Sequence, residues 1–273
     1  VPGRRGEAAE CIGARIEVEA GGRTQVRQVW RARGYLSSSD RTAHFGLGTA
    51  DISQPVKAAG GTPVVGDLTN LKSLENALAG IETVLHLATA SASIAPKNLE
   101  ETLTKVRIEG TENLVAAAKR NRVNRVIAGS GYWVHGDIRG TTTEDSPLNP
   151  IGPSRFNYGT ERIVLDANRK GELEGIVVRP GMIYGNGSWF KPMAESIKTG
   201  HYRYVGDGSQ HWGVVGLADV GEAYRVIAEK GKAGEAYLVV DDLPVRVKEY
   251  TTFIADVISG PKPQGMDYAT AVK

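Results

Sequence analysis

From about residue 57 to residue 259, short apolar runs alternate with amphipathic helical runs, and this alternation limits the chain more than any other feature. Candidate strands are TPVVGD (62–67), TVLHLAT (83–89), RVIAGS (125–130), GIVVRP (175–180) and EAYLVVDD (235–242). The runs between and after them, near 71–79, 98–121, 157–170, 189–199, 218–230 and 246–259, have helical spacing. Strands separated by helices require parallel crossovers. Strands apolar on both faces suit a sheet covered on both sides. The expected fold class is therefore α/β, a doubly wound parallel sheet with a small C-terminal lobe. In VRIEGTENLVAAAKR (106–120), Ile108, Thr111, Leu114, Val115 and Ala118 share one helix face and read as core.

The first 50 residues follow a different period. Ile12, Ala14, Ile16 and Val18 alternate with polar residues; Gly21-Gly22 follows, then a second alternating run through Thr24, Val26, Gln28 and Trp30. This predicts a β hairpin over 12–30. The expected division is a β segment over 1–56 and an α/β domain over 57–273. A formal charge of +2 on 273 residues gives no reason to expect nucleic acid or an anionic membrane as partner. The single cysteine, Cys11, excludes an internal disulfide and points to the reducing cytoplasm. No run approaches the roughly 20 apolar residues of a membrane helix, and the opening VPGRRGEAAE has no apolar stretch of the kind a secretion signal carries. Five scattered histidines lack ligand spacing, so no metal site is expected.

Several strand ends carry groups that could do chemistry. Asp67, with Leu68, closes a strand at the edge where doubly wound sheets bind ligands; it could accept a hydrogen bond from an adenine amino group or cap the next helix. HLATA ends in small residues that would admit a flat ligand, or a closely packed helix. Ser130 presents a hydroxyl after a strand, with a turn role as the alternative. His135 reads as structural. Tyr158 and Arg162 stand one helical turn apart. A fixed cation there would stabilise a phenolate and bring tyrosine toward acid/base use, although the same spacing occurs on solvated helices.

Together these blocks resemble the NAD-dependent epimerase/dehydratase branch of the extended short-chain dehydrogenase/reductases. The matching runs, in family order, are VVGDLTN, TVLHLAT, VRIEGTENLVAAA, RVIAGSGYWVHGD, Tyr158 with its helix, VVRPGMIYGNGSWF, VGDGSQHWGVV and AYLVVDDLPVRVKEY. The resemblance implies a Rossmann-like fold and NAD or NADP as cofactor. It implies hydride exchange with a sugar-nucleotide or similar alcohol or carbonyl substrate. It places Asp67 and Leu68 beside the adenine, and Leu87, Ala88 and Thr89 along the cofactor. Pro180, Gly181, Met182 and Ile183 fall near the nicotinamide, Ser130 orients substrate, and Tyr158 is the acid/base with Arg162 in the place of the family's lysine. A homodimer is a partner compatible with this family.

The departures are equally specific. Arginine is no conservative exchange for a lysine that binds ribose and steers a proton. The family's asparagine on the preceding helix falls on Arg107, and its usual Ser/Thr position, counted from Gly136, falls on Gly131. The expected HVDD reads GLAD (216–219). No glycine-rich turn of the pyrophosphate-binding kind precedes TPVVGD; HFGLGTAD, with Gly46 and Gly48, does not qualify. Residues 11–50 instead resemble the ASPIC/UnbV domain, a small β module. Weak or absent dinucleotide binding is then the expectation. The alternative to an oxidoreductase or epimerase is a non-catalytic binding or interaction protein that keeps the substrate lobe.

Overall fold

The structure is a computed structural model of the chain. It describes residues 60–89, 98–185 and 190–271, together with residue 57 and the strand segments at 14–20, 23–29 and 42–43. Cys11, Gly46, Gly48 and positions 186–189 lie outside the described residues.

The centre is a four-stranded parallel sheet in the order β12 (Ala236–Val239), β7 (Glu174–Pro180), β6 (Arg125–Gly129), β5 (Thr83–His86). Register runs Thr83↔Arg125 and Arg125↔Glu174, so the carboxyl ends of β5, β6 and β7 finish side by side. Adjacent residues of β6 face opposite layers. Val126 and Ala128 join the core formed with α1 (Leu71–Ala77), α3 (Gly110–Arg120) and α4 (Ser154–Arg169). Ile127 joins Ile176 and Val178 against Val220, Tyr224 and Ile227 of α6 (Leu217–Lys230). Burying each such side chain contributes about 1.5–3 kcal/mol, which explains why the middles of these strands are apolar. The predicted stripe is core: Thr111, Leu114, Val115 and Ala118 are buried and Ile108 is half-buried.

The long helix predicted over 98–121 is one helical stretch with an internal defect. α2 (Leu99–Leu103) passes into a π turn over Thr104–Glu109 before α3, and the Gly110 amide donates to the Lys105 carbonyl five residues back. Such turns interrupt the α ladder and recur at functional sites.

The C-terminal lobe packs α5 (Phe190–Lys198) on α7 (Val247–Val257), with Met193, Ile197, Ile254 and Ala255 buried between them. Short pairs tie it down: β8 (Met182–Tyr184) with β11 (Val214–Gly216), β9 (Arg203–Val205) with β14 (Gln264–Met266), and β10 (His211–Trp212) with β13 (Val245–Arg246). A short helix, α8 (Tyr268–Ala271), follows.

The hairpin predicted over 12–30 is present. β1 (Ala14–Ala20) pairs antiparallel with β2 (Arg23–Val29), and the two form a separate sheet. Upstream and edge strands otherwise depart from expectation. Of TPVVGD only Thr62–Pro63 (β4) is strand, and it pairs in parallel with Thr42–Ala43 (β3). It does not join the central sheet. Val65, read as a buried strand residue, is 92 % exposed. An apolar run becomes a central strand only when partners flank it, and among the described residues the outer edge of β5 has none.

Candidate functional site

β6 ends at Gly129, and the two residues after it set up the site. The Ser130 amide donates to the Val178 carbonyl at 2.8 Å, and its hydroxyl donates to Glu161 Oε1 at 2.5 Å. Glu161, on α4, is almost fully buried and accepts from Arg179 twice, Nε to Oε1 at 3.1 Å and Nη2 to Oε2 at 2.8 Å. Arg179 itself lies buried in β7. Its Nη1 reaches His135 Nε2 and the Glu144 carbonyl, both at 3.4 Å. His135 Nδ1 lies 3.2 Å from the Pro147 carbonyl, which can only accept, so Nδ1 carries the proton. His135 is therefore structural, as its sequence context suggested.

A second buried cation lies on the π turn. Arg107 is 3 % exposed and spans three elements: Nη1 donates to the Ala88 carbonyl after β5 at 3.2 Å, while Nη2 donates to the Gly129 carbonyl and to Asn157 Oδ1, both at 2.9 Å. Its own carbonyl accepts hydroxyls from Thr111 at 2.6 Å and Thr160 at 2.8 Å. Burial brings the Arg107 pKa down to about 10, against the opposing effects of Tyr224 and Glu161, so the guanidinium stays charged at neutral pH. Next to it, His86 Nε2 pairs with Thr111 Oγ1 at 2.9 Å. Burial first, and Arg107 second, push the His86 pKa down to about 3, leaving a neutral imidazole.

Tyr158 is half-buried on α4, one residue after Asn157, and its hydroxyl has no hydrogen-bond partner among the described residues. Arg162, one turn on, is exposed and likewise unpaired there. The charge held inside the protein near the strand ends is thus Arg107, with Arg179 neutralised by Glu161.

At and after the end of β7, Pro180, Gly181 and Met182 are buried and Ile183 is half-buried. Gly181 is a glycine of necessity, because a Cβ there would strike the Gly213 carbonyl. On the opposite side Leu87 and Thr89 are exposed and Ala88 is half-buried. Asp67 is exposed, and its Oδ1 accepts the Thr69 amide and hydroxyl, each at 2.8 Å, so the carboxylate shapes the turn. Asn70, and not Asp67, caps α1, accepting the Ser73 amide at 3.0 Å. Leu68 is half-buried and packs on the core. The described residues bring Ser130, Tyr158, Ala88 and Pro180–Ile183 to one end of the sheet, with Asp67 in the loop before α1.

Glu161, Arg179 and Asn157 were missed at the level of sequence. Arg179 had a signal: a cation inside GIVVRP is almost never buried unpaired. Its partner, 18 residues earlier, had none. Among the described residues no group of three metal-ligating side chains occurs and no helix is long and apolar enough to cross a membrane.

A family model described as the NAD dependent epimerase/dehydratase family matches residues 18–240, beginning well upstream of residue 57. Among curated proteins, a farnesyl-dihydroquinoline-oxide ketoreductase of Stigmatella aurantiaca is 28 % identical over 213 residues, 76 % of this chain and 63 % of that protein. An N-acetylglucosaminyl-diphospho-undecaprenol 4-epimerase of Escherichia coli O157:H7 is 26 % identical over 65 % of this chain and 55 % of its own length. This chain thus spans less than two-thirds of either relative. A dTDP-glucose 4,6-dehydratase from Streptomyces venezuelae, solved with NAD bound, superposes with a TM-score of 0.68 at 24 % identity, over 78 % of this chain and 70 % of that one.

Proposed function

The chain belongs to the NAD-dependent epimerase/dehydratase family, and from that membership we propose that it exchanges hydride between NAD or NADP and an alcohol or carbonyl carbon, with Tyr158 as the proton-transfer group. The observation that carries this reading is the Tyr158 hydroxyl: half-buried, without a protein partner among the described residues, on a helix packed against the ends of β6 and β7.

The residues present fit the nicotinamide half of a dinucleotide. One guanidinium fixes the carbonyls of Ala88 and Gly129, and Gly129 has no side chain between them. Pro180 to Ile183 close the far side. The described residues hold no glycine-rich turn for the pyrophosphate, so weak binding is expected. The cofactor, when bound, supplies or accepts the hydride. Tyr158 donates its proton to a developing alkoxide or removes one from an alcohol, and Arg107 favours the anionic forms at the strand ends through its buried charge. The substrate class proposed is a sugar nucleotide or a comparable alcohol or ketone. A second reading, a binding protein without catalysis, is favoured by one observation: the Ser130 hydroxyl is already donated to Glu161.

Titration of the full chain with NADH and NADPH, followed by nicotinamide fluorescence, tests the proposal. Saturable binding, with Tyr158→Phe abolishing turnover while binding persists, is the expected result. Failure of both nucleotides to bind overturns it and leaves the second reading.

A further inference from the structure

In addition to the Tyr158 hydroxyl, a second donor at this end of the sheet, the side-chain amide nitrogen of Asn157, has no partner among the described residues. Asn157 Oδ1 accepts from Arg107 Nη2 at 2.9 Å. A guanidinium only donates, so the amide orientation is fixed and Nδ2 faces the other way. Nδ2 has no partner among the described residues. Arg107 Nε is the only fully buried side-chain nitrogen or oxygen there that lacks one, so Nδ2 is open to solvent.

Its direction follows from Gly131. A Cβ built on Gly131 would lie 3.5 Å from Asn157 Nδ2, 3.9 Å from the Pro180 carbonyl and 3.1 Å from Trp133 Cδ1. Gly131 has extended backbone, φ −171° and ψ 154°, which any residue adopts, so its backbone does not require glycine. A side chain at 131 would be wedged between Trp133 and the amide donor, so glycine there leaves Asn157 Nδ2 uncovered from that side, near the end of β7. Neither position expected to carry a second hydroxyl beside Tyr158 donates there: position 131 has no side chain, and Ser130 gives its proton to a carboxylate that can only accept.

We propose that Asn157 Nδ2 is the donor that takes up the substrate's carbonyl oxygen beside Tyr158, and that Arg107 is a positioning residue that sets its orientation. This deepens the reading of the site as a carbonyl/alcohol site and does not depend on dinucleotide affinity. The amide replaces a hydroxyl with a donor held from behind by a cation, which polarises its N–H toward the ligand.

The test uses the full chain labelled with nitrogen-15 and cyclohexanone as probe. The side-chain amide pair of Asn157, assigned by its loss in Asn157→Asp, should shift saturably with the ketone in wild type and in Tyr158→Phe. Gly131→Ser, which places a hydroxyl within reach of Nδ2, should blunt the shift. Arg107→Lys should preserve part of it and Arg107→Met remove it, with far-ultraviolet circular dichroism unchanged. In NADH-dependent reduction of the same ketone, Asn157→Asp should lower kcat/KM about 100-fold, the usual effect of removing one such donor. An amide pair that stays still as cyclohexanone is added overturns the inference, whether or not reduction occurs. A shift without reduction retains the Asn157 donor and refutes the hydride-transfer reading.

Discussion

The two ends of the site, only two strands apart, are built in opposite ways. Around β6, β7 and α4 nearly every buried polar group is committed: Ser130 to Glu161, Glu161 to Arg179, and Arg107 to two carbonyls and an amide. Around β5 and the Asp67 loop, polar groups serve their own turn and apolar side chains stand in solvent, Val65 and Leu87 among them. The end that carries Ser130 and Tyr158 is assembled from elements that touch within this sheet. The end that carries Asp67 and Leu87 lies at the outer edge of β5, which has no neighbouring strand among the described residues.

The largest expected effect breaks the tight end. Arg179→Met leaves the Glu161 carboxylate buried without its cation and should cost about 3–5 kcal/mol in urea unfolding; a loss below about 1 kcal/mol would mean that this end is no more rigid than the other. Next comes pH. His86 has a folded pKa depressed to about 3, so above about 6.5 it is neutral in both states and contributes nothing to pH dependence. Below that the unfolded chain gains a proton that the folded chain refuses, and stability should fall by about 1.4 kcal/mol per pH unit toward pH 3. His86→Gln should flatten that slope in acid unfolding curves. At the open end, Asp67→Ala removes the bonds to Thr69 and should cost about 1 kcal/mol. The smallest effect belongs to Val65→Ser, within about 0.5 kcal/mol of wild type because the side chain is already in water. A large loss there would show that the 62–67 run is covered in solution.

The central sheet was legible because its strands are apolar through their middles and separated by helical runs: TVLH, RVIAG and GIVVRP lie where the pattern put them. The same pattern misled at PVV, since hydrophobic runs report the wish for a partner and not its presence. The short pairs of the lobe, two or three residues each, fall below any period that sequence can display. Tyr158 and Ser130 were found through their neighbours in the chain, but the engagement of Ser130 depends on Glu161 and Arg179, distant positions that only packing unites. Asn157 was hidden beside Tyr158, because its importance comes from a cation 50 residues away. The family match begins at residue 18, inside the β segment read over 1–56, and Thr42–Ala43 of that segment pairs in parallel with Thr62–Pro63.

The π turn at Thr104–Glu109 holds one residue more than an α-helix of the same rise would need. It therefore works as a phase adjuster between the two parts of a single helical rod. α3 is locked to the core by Leu114 and Ala118, so removing any one residue of the turn would heal the ladder at the expense of everything before it, rotating α2 by about 100° about the helix axis. The carbonyl now shared by Thr111 and Thr160 would be reclaimed by the helix, and α4 would lose that tie. A one-residue deletion here, silent in composition and in hydropathy, would unset the angle between the two helices that meet at the site.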